Sequence, residues 1–296
     1  MTKIIARQLL RLAIVCLVSV AMAAQAQETS KNFLWQVKSK TNTVYLYGTV
    51  HVGKESFYPL SDTVETAFKK SAILVVEVDF SHQDNMQALM PLIMYTPPDS
   101  LDTRMPKATL DRLKIQLTRY GVPFENVQQI KPFMVGGLLT IAEFARLGYE
   151  QRYGADHYLL EKAGLTGKTI LELESAEQQM KLLGSLSDPE QEAFLSNAMT
   201  SLEDDKAAEQ IVGMFNAVRT GDTVMLEEVV KQSNEGMSQV LVEKILYARN
   251  PAMVSKIEDF LAGKQIHFVA VGAMHMIGQR GLVAMLKAKG YEVKQL

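Results

Sequence analysis

The sequence predicts an α/β fold with a central, mostly parallel β-sheet. Short apolar runs that suit buried strands recur along the chain, and segments with helical periodicity separate them. A glycine-x-x-histidine pattern also follows a strand near each end of the chain. These three observations predict two β-α-β halves, one at each end of the chain, with a large helical insert between them.

Residues 1–26 have the features of a cleaved signal peptide. Three basic residues precede an apolar run of 13 residues, Leu12 to Ala24, which is too short to span a bilayer. Small residues before Gln27 predict cleavage there, and an uncleaved anchor is the alternative. We therefore expect a periplasmic or secreted protein with no membrane attachment after cleavage.

The composition of the mature chain narrows its chemistry. The only cysteine, Cys16, lies in the signal peptide, so the mature chain has no disulfide, thiol nucleophile or thiolate metal site. Residues 27–296 contain 28 basic and 33 acidic residues, a net charge of −5, with no basic run. This balance argues against a nucleic-acid partner. We expect one domain, 27–296, whose helical insert covers about 83–165 and 176–262.

The N-terminal half of the sheet begins with a hairpin. Asn32 to Val37 alternates like a strand, and a turn at Thr41-Asn42 leads into a second strand, Val44 to Thr49. A helix is predicted for Asp62 to Lys70. The apolar run 72–79 then suits a central strand, parallel to the second strand and buried on both faces.

The rest of the chain alternates in the same way. A further strand is predicted within Gly167 to Ser175, and the C-terminal half contains a strand over Phe268 to Val271, a helix over Leu282 to Lys289 and a closing strand over 290–293. Helices are predicted for most of 83–165 and 187–262.

The two glycine-x-x-histidine motifs are Gly48 to His51 and Gly272 to His275. Glycine lets a backbone turn sharply or approach a ligand closely. Open α/β sheets bind ligands beyond the carboxyl ends of their strands. We therefore expect the two ends of the chain to be neighbours and the two histidines to share one site. Two unrelated strand-to-loop turns are the alternative.

Several charged residues lie where they could join that site. Glu77 is near the carboxyl end of a buried strand, so it is paired, protonated or metal-bound; a salt bridge is the structural alternative. Glu174 lies at the mouth of the next strand. Asp156 interacts with a helix dipole or points into the site. Arg249 caps helix carbonyls or binds an anion.

Together these motifs resemble the TraB/GumN family, which is related to the Tiki proteins. The resemblance rests on six motifs in this order: Tyr47 to His51, Val75 to Asp79, Tyr153 to Asp156, Leu171 to Glu174, Arg249-Asn250 and Val271 to His275. It implies an α/β fold with two β-α-β halves and a helical insert. It also implies a metal-dependent hydrolase, since Tiki relatives act as proteases that use divalent cations such as manganese or cobalt.

On matching positions, the resemblance implies His51, His275 and Glu77 as the site residues, and Arg249 and Glu174 match further family positions. Two imidazoles and a carboxylate can hold a divalent ion and leave room for water, which the ion makes more acidic. Glu77 is then a ligand or a general base. Glu174 or Asp156 is a second acid, and Arg249 binds a substrate carboxylate or an oxyanion. Without thiolates, manganese or a similar exchangeable ion suits this set better than zinc.

The sequence thus predicts a metal-dependent hydrolase of the bacterial cell envelope. Its expected substrate is a peptide, which would make it a peptidase, or a small molecule. One alternative is a non-catalytic envelope protein that binds a small ligand, such as a haem-like group, in the same cleft. A structural partner in envelope assembly is another. The placement of the His51, His275 and Glu77 side chains relative to one another discriminates among these hypotheses.

Overall fold

A computed structural model describes residues 31–80, 86–204 and 206–296. The predicted signal peptide lies outside these residues, as does the start of the helix predicted from residue 83. Among the described helices, none combines the length and the apolar character needed to cross a bilayer.

A six-stranded sheet forms the centre of the protein. Its strands are β1 Leu34–Lys38, β2 Thr43–Thr49, β3 Ile73–Val76, β4 Thr169–Glu172, β5 His267–Gly272 and β6 Glu292–Gln295. Their order across the sheet is β4-β3-β5-β2-β1-β6. The β4-β3, β3-β5 and β5-β2 pairs are parallel, whereas β1 is antiparallel to both β2 and β6. The predicted α/β fold with a mostly parallel sheet is therefore confirmed.

Helices occupy the connections between strands. They are α1 Asp62–Lys70, α2 Met86–Ile93, α3 Leu101–Arg104, α4 Lys107–Arg119, α5 Pro132–Arg146, α6 Ala155–Thr166, α7 Ala176–Gly184, α8 Asp188–Glu203, α9 Ala207–Thr220, α10 Thr223–Ser233, α11 Gln239–Ile245, α12 Asn250–Ala262 and α13 Leu282–Ala288. Helices α2 to α6 lie between β3 and β4 in the chain, and α7 to α12 lie between β4 and β5. The first helical region thus connects β3 to β4 along the chain, and the second connects β4 to β5.

The two β-α-β halves interleave. The β2-α1-β3 and β5-α13-β6 units each connect strands that run in the same direction, as predicted. Neither unit joins neighbouring strands, because β5 lies between β2 and β3, and β2 and β1 lie between β5 and β6. Hydrogen bonding between β2 and β5 therefore holds the N-terminal and C-terminal segments side by side.

Helix α1 shows how local sequence defines an element that the fold then buries. The Ser61 side chain accepts a hydrogen bond from the Val64 backbone N–H and caps the helix where the sequence predicts its start. Val64, Ala67 and Phe68 recur at helical spacing, and all three are buried against the sheet. Burial of Val64 and Phe68 stabilises the fold by about 1.5–3 kcal/mol for each side chain.

The core covers both faces of the sheet. Along β2, Val44 and Leu46 pack on the face that α12 and α13 cover, and Tyr45 and Tyr47 pack on the face that α1 and α6 cover. Trp35 on β1 belongs to the first face, as its alternation predicts. Since both faces are buried, the carboxyl-end edge of β2, β3 and β5 is where polar side chains can gather.

Candidate functional site at the strand ends

The two glycine-x-x-histidine motifs leave adjacent parallel strands at the same edge of the sheet. Gly48 on β2 lies opposite Val271 on β5, and Thr49 lies opposite Gly272. The prediction that the two ends of the chain are neighbours is therefore confirmed. Each motif carries its histidine beyond this edge, where ligands of open α/β sheets bind.

Gly272 makes room for two of the predicted site residues. A Cβ atom at this position would lie 3.1 Å from Glu77 Oε2 and 3.7 Å from His275 Cδ2. Without it, the Gly272 backbone N–H donates a hydrogen bond of 2.9 Å to Glu77 Oε2. The close approach of the carboxylate thus favours glycine at this position of the motif.

Glu77 is a buried carboxylate with partners on both oxygens. Its Oε1 accepts hydrogen bonds from Arg249 Nη2 at 2.5 Å and from Gln179 Nε2 at 3.2 Å. Burial favours the neutral acid, but the neighbouring donors and positive charges, of which the Arg249 guanidinium is the nearest, outweigh burial and hold the pKa of Glu77 well below its usual range. We assign most of this effect to Arg249, because His275 Nε2 lies farther from Oε1, at 3.6 Å. Glu77 is thus an ionised, fully engaged acid.

Arg249 links Glu77 to a second carboxylate. Its Nε donates to Glu174 Oε1 at 3.1 Å and its Nη2 donates to Glu174 Oε2 at 2.6 Å, an Arg–carboxylate fork. Arg249 directly precedes α12, and Glu174 lies just past β4. Their side chains are only 12% and 13% exposed. We call Glu77, Glu174, Arg249 and His275 the acid–arginine cluster.

His275 is buried, and its tautomer follows from its neighbours. Asn250 Nδ2 donates to the Arg280 carbonyl oxygen at 2.7 Å, which turns Asn250 Oδ1 towards His275 Nδ1 at 2.6 Å. Nδ1 therefore carries the proton. Nε2 is left as an acceptor for Arg249 Nη1, 3.1 Å away. This assignment comes from the hydrogen-bond network, and it makes the imidazole neutral.

His51 forms a separate pair with Asp156. Its Nδ1 lies 2.8 Å from Asp156 Oδ2, and Thr49 Oγ1 donates to the other carboxylate oxygen at 2.7 Å. Desolvation disfavours the charged ring, but the hydrogen bond and the negative charge of Asp156 outweigh desolvation and raise the pKa of His51 to about 9. The direction of the shift depends on the Asp156 contact, since the His51 side chain is 70% exposed.

The His51–Asp156 pair is electrostatically connected to the acid–arginine cluster. The charge of Glu77 raises the pKa of His51, and the charge of Arg249 lowers it. Among the described residues, in contrast, no hydrogen bond joins the two groups: His51 bonds to Asp156, while Glu77, Glu174 and His275 all bond to Arg249. The predicted residues thus form a buried cluster with an exposed histidine beside it.

This arrangement does not fit a resident metal ion. Within residues 31–80, 86–204 and 206–296, no three His, Cys, Asp or Glu side chains are placed to hold one. Of the predicted ligands, Glu77 and His275 both face the Arg249 guanidinium, and His51 is bound to Asp156. In the described part of the chain, His51, His275 and Glu77 are therefore not placed as three ligands of one ion.

Sequence reasoning missed two side chains that position the cluster. Asn250 precedes a proline, so the sequence predicts only a helix boundary there. In the structure, Asn250 is fully buried and orients His275. Gln179 follows Gln178, which forms a capping box with Ser175, and contacts Glu77. The pairing of Asn250 with Arg249 in one motif was a usable signal for the first. For Gln179, the sequence contains none that we can identify.

A cavity of about 290 Å³ lies beside β2. Aromatic and aliphatic side chains dominate its lining, including Tyr47, Val50, Phe57, Tyr58 and Phe215. The lining includes neither His51 nor any member of the acid–arginine cluster. The cavity is thus distinct from the strand-end site, although Val50 belongs to the first glycine-x-x-histidine motif.

The strand-end geometry is accompanied by similarity to known proteins. The model of the TraB/PrgY/gumN family matches residues 33–295, nearly the whole described chain. The chain belongs to this family. No solved structure matches the chain.

Two kinds of relative are informative. The uncharacterized protein YbaP of Escherichia coli is 26% identical over 245 residues, which cover 82% of this chain and 87% of YbaP. A metalloprotease TIKI homolog of Amphimedon queenslandica is 22% identical, over 90% of this chain, and metalloprotease TIKI2 of Danio rerio is 21% identical, over 91%. The alignments cover 62% of each TIKI protein. The chain is thus similar to proteins named as metalloproteases.

Proposed function

We propose that this protein is a hydrolase of the bacterial cell envelope that cleaves amide or ester bonds at the strand-end site. The contact between His51 and Asp156 carries the proposal. One nitrogen of an exposed imidazole is fixed by a carboxylate, and the other has no hydrogen bond to any residue that the structure describes, so it can transfer a proton. The names of the TIKI relatives support a peptide substrate.

His51 acts as the general base in this proposal. Its Nε2 accepts a proton from water, and Asp156 stabilises the imidazolium that forms through Nδ1. The same imidazolium then returns the proton to the leaving amine or alcohol. A pKa of about 9 keeps most His51 protonated at neutral pH, so the reaction is faster in alkaline solution.

The acid–arginine cluster positions this base. Both oxygens of Glu77 are engaged, so Glu77 is not available to remove a proton from water. Its negative charge and the positive charge of Arg249 instead set the field in which His51 titrates. The cluster also braces the ends of β3, β4 and β5 against α12, which keeps the edge that carries His51 in place.

A divalent cation, Mn²⁺ or Co²⁺, stays a prediction from the resemblance. The printed names of the TIKI relatives support it, and the contacts around Arg249 do not. Location in the periplasm or outside the cell is likewise a proposal, which rests on the signal-peptide pattern of residues 1–26.

The test is cleavage of a peptide library and of chromogenic esters by purified residues 27–296. Each substrate is assayed with EDTA and with added Mn²⁺ or Co²⁺. We expect His51→Gln to lower the rate by about 100-fold or more, the usual contribution of a general base. His157→Gln is the matched control, because His157 is exposed on α6 next to Asp156 and lies outside the pair. Full activity of His51→Gln, or no cleavage under any of these conditions, contradicts the proposal.

The cavity beside β2 supports a second candidate, a non-catalytic envelope protein that holds a small apolar ligand. Its volume of about 290 Å³ and its aromatic lining suit a ligand of modest size. Native mass spectrometry after mild purification tests this candidate. A retained small molecule, together with no turnover in the substrate screen, favours binding over catalysis.

A further inference from the structure

The guanidinium of Arg249 occupies the point where three acceptor side chains converge. Glu77 Oε1 lies 2.5 Å from Nη2, Glu174 Oε2 lies 2.6 Å from the same nitrogen, and His275 Nε2 lies 3.1 Å from Nη1. All four side chains are at most 13% exposed. The arginine is thus a cation enclosed by two carboxylates and a neutral imidazole.

The same three acceptors are of the types that bind a divalent cation, although their present placement around the guanidinium does not form an ion site. Carboxylate oxygens and imidazole nitrogen bind Mn²⁺ and similar ions. The carboxylates of Glu77 and Glu174 together carry a charge of −2, and the charge of +1 on Arg249 neutralises half of it. If the guanidinium were removed, a divalent ion would balance this charge fully.

The orientation of His275 is already set for such a role. Asn250 Oδ1 accepts a hydrogen bond from His275 Nδ1–H, and the Asn250 amide nitrogen donates to the Arg280 carbonyl oxygen. Metal-binding histidines are commonly oriented by a hydrogen bond of this kind from the other ring nitrogen. The Nε2 lone pair therefore points at the cation position, which the guanidinium fills.

We propose that Arg249 is the resident cation of this site and excludes divalent ions from it. Arg249 and a divalent ion compete for Glu77, Glu174 and His275. The arginine is tethered and always charged, so it holds the position at ordinary ion concentrations. Its removal converts the acid–arginine cluster into a divalent-cation site. This proposal concerns binding and does not depend on the hydrolase activity.

Manganese binding to the mature chain tests the proposal. Residues 27–296 are stripped with chelator and titrated with Mn²⁺, and free Mn²⁺ is measured by electron paramagnetic resonance. We expect no saturable binding to the wild-type protein at this site. Arg249→Ala, which removes the charge and leaves space, is expected to bind one Mn²⁺ per chain, about 100-fold or more tighter than wild type. The double variant Glu77→Gln, Arg249→Ala is expected to lose that binding.

Three outcomes overturn the proposal. One is an Arg249→Ala protein that folds and binds no Mn²⁺, and another is binding that survives in the double variant. The third needs no Arg249 variant: it is stoichiometric Mn²⁺ binding by the wild-type protein that His275→Ala abolishes. Circular dichroism of every variant shows which proteins are folded. If Arg249→Ala is unfolded, the wild-type titration decides the proposal.

Discussion

Replacement of Arg249 by methionine is the sharpest test of the acid–arginine cluster. Methionine keeps an unbranched chain but removes the guanidinium, so Glu77 and Glu174 lose their shared cation. Breaking a buried ion pair from one side costs about 3–5 kcal/mol. The protein can limit this loss by taking up one proton. Each pKa unit is worth about 1.36 kcal/mol, so protonation at pH 7 of a carboxyl with the ordinary pKa of 4.5 costs about 3.4 kcal/mol.

We therefore expect Arg249→Met to lower the free energy of unfolding by about 3 kcal/mol at pH 7. Wild-type Glu77 has a lowered pKa and stays ionised, whereas the folded variant binds an extra proton between pH 7 and about pH 4.5. The stability of the variant thus falls relative to wild type as pH rises. The difference shrinks to about 1 kcal/mol at pH 5.

Urea unfolding at pH 5, 6 and 7 measures this difference through the fluorescence of Trp35, the only tryptophan, which is buried in the core. Arg104→Met is the matched control, because Arg104 also pairs with two carboxylates, Asp99 and Asp188, but on the surface. We expect a much smaller loss there and no trend over this pH range. A loss below about 1 kcal/mol at pH 7 for Arg249→Met, or a loss that does not change with pH, refutes the reasoning.

Three further predictions concern single contacts. Asn250→Ala removes the side chain that accepts the hydrogen bond from His275 Nδ1–H. We expect it to lower the free energy of unfolding in urea by about 1–3 kcal/mol and to change the ring nitrogen shifts in ¹⁵N NMR. Unchanged shifts contradict the assigned tautomer. Gly272→Ala brings a methyl group against the carboxylate beside it, so we expect a loss of about 1–3 kcal/mol in the same assay, and a neutral result contradicts the close packing. His51 in the wild-type protein should titrate near pH 9 by NMR, and a midpoint near 6.5 contradicts the strong pairing with Asp156.

Local signals in the sequence predict those parts of the fold that depend on near neighbours. The limits of α1 follow from a capping serine and an apolar stripe, both within one segment. The hairpin of β1 and β2 follows from alternation around a turn. The two strand-end motifs likewise indicate that β2 and β5 end together, because parallel strands present their carboxyl ends at one edge.

Features that depend on distant partners were not predictable in the same way. The insertion of β5 between β2 and β3 is one choice among several strand orders that satisfy the same β-α-β rules. Arg249 pairs with Glu77 across 172 residues, and no local pattern distinguishes that contact from a helix cap. For the same reason, the shared motif predicts that His51 and His275 act together. In the structure, His51 instead pairs with Asp156, and His275 is hydrogen-bonded to Asn250.

The dependence of kcat/KM on pH, for a substrate found in the library screen, tests the proposed hydrolase most directly. The account predicts a rate that rises towards an inflection near pH 9 in the wild-type protein, because only neutral His51 accepts a proton. In Asp156→Asn the inflection should move towards the ordinary value of 6.5, since the anion that stabilises the imidazolium is gone. A rate that is constant over this range, or an inflection that stays in place in Asp156→Asn, would contradict the assignment of His51 as the base.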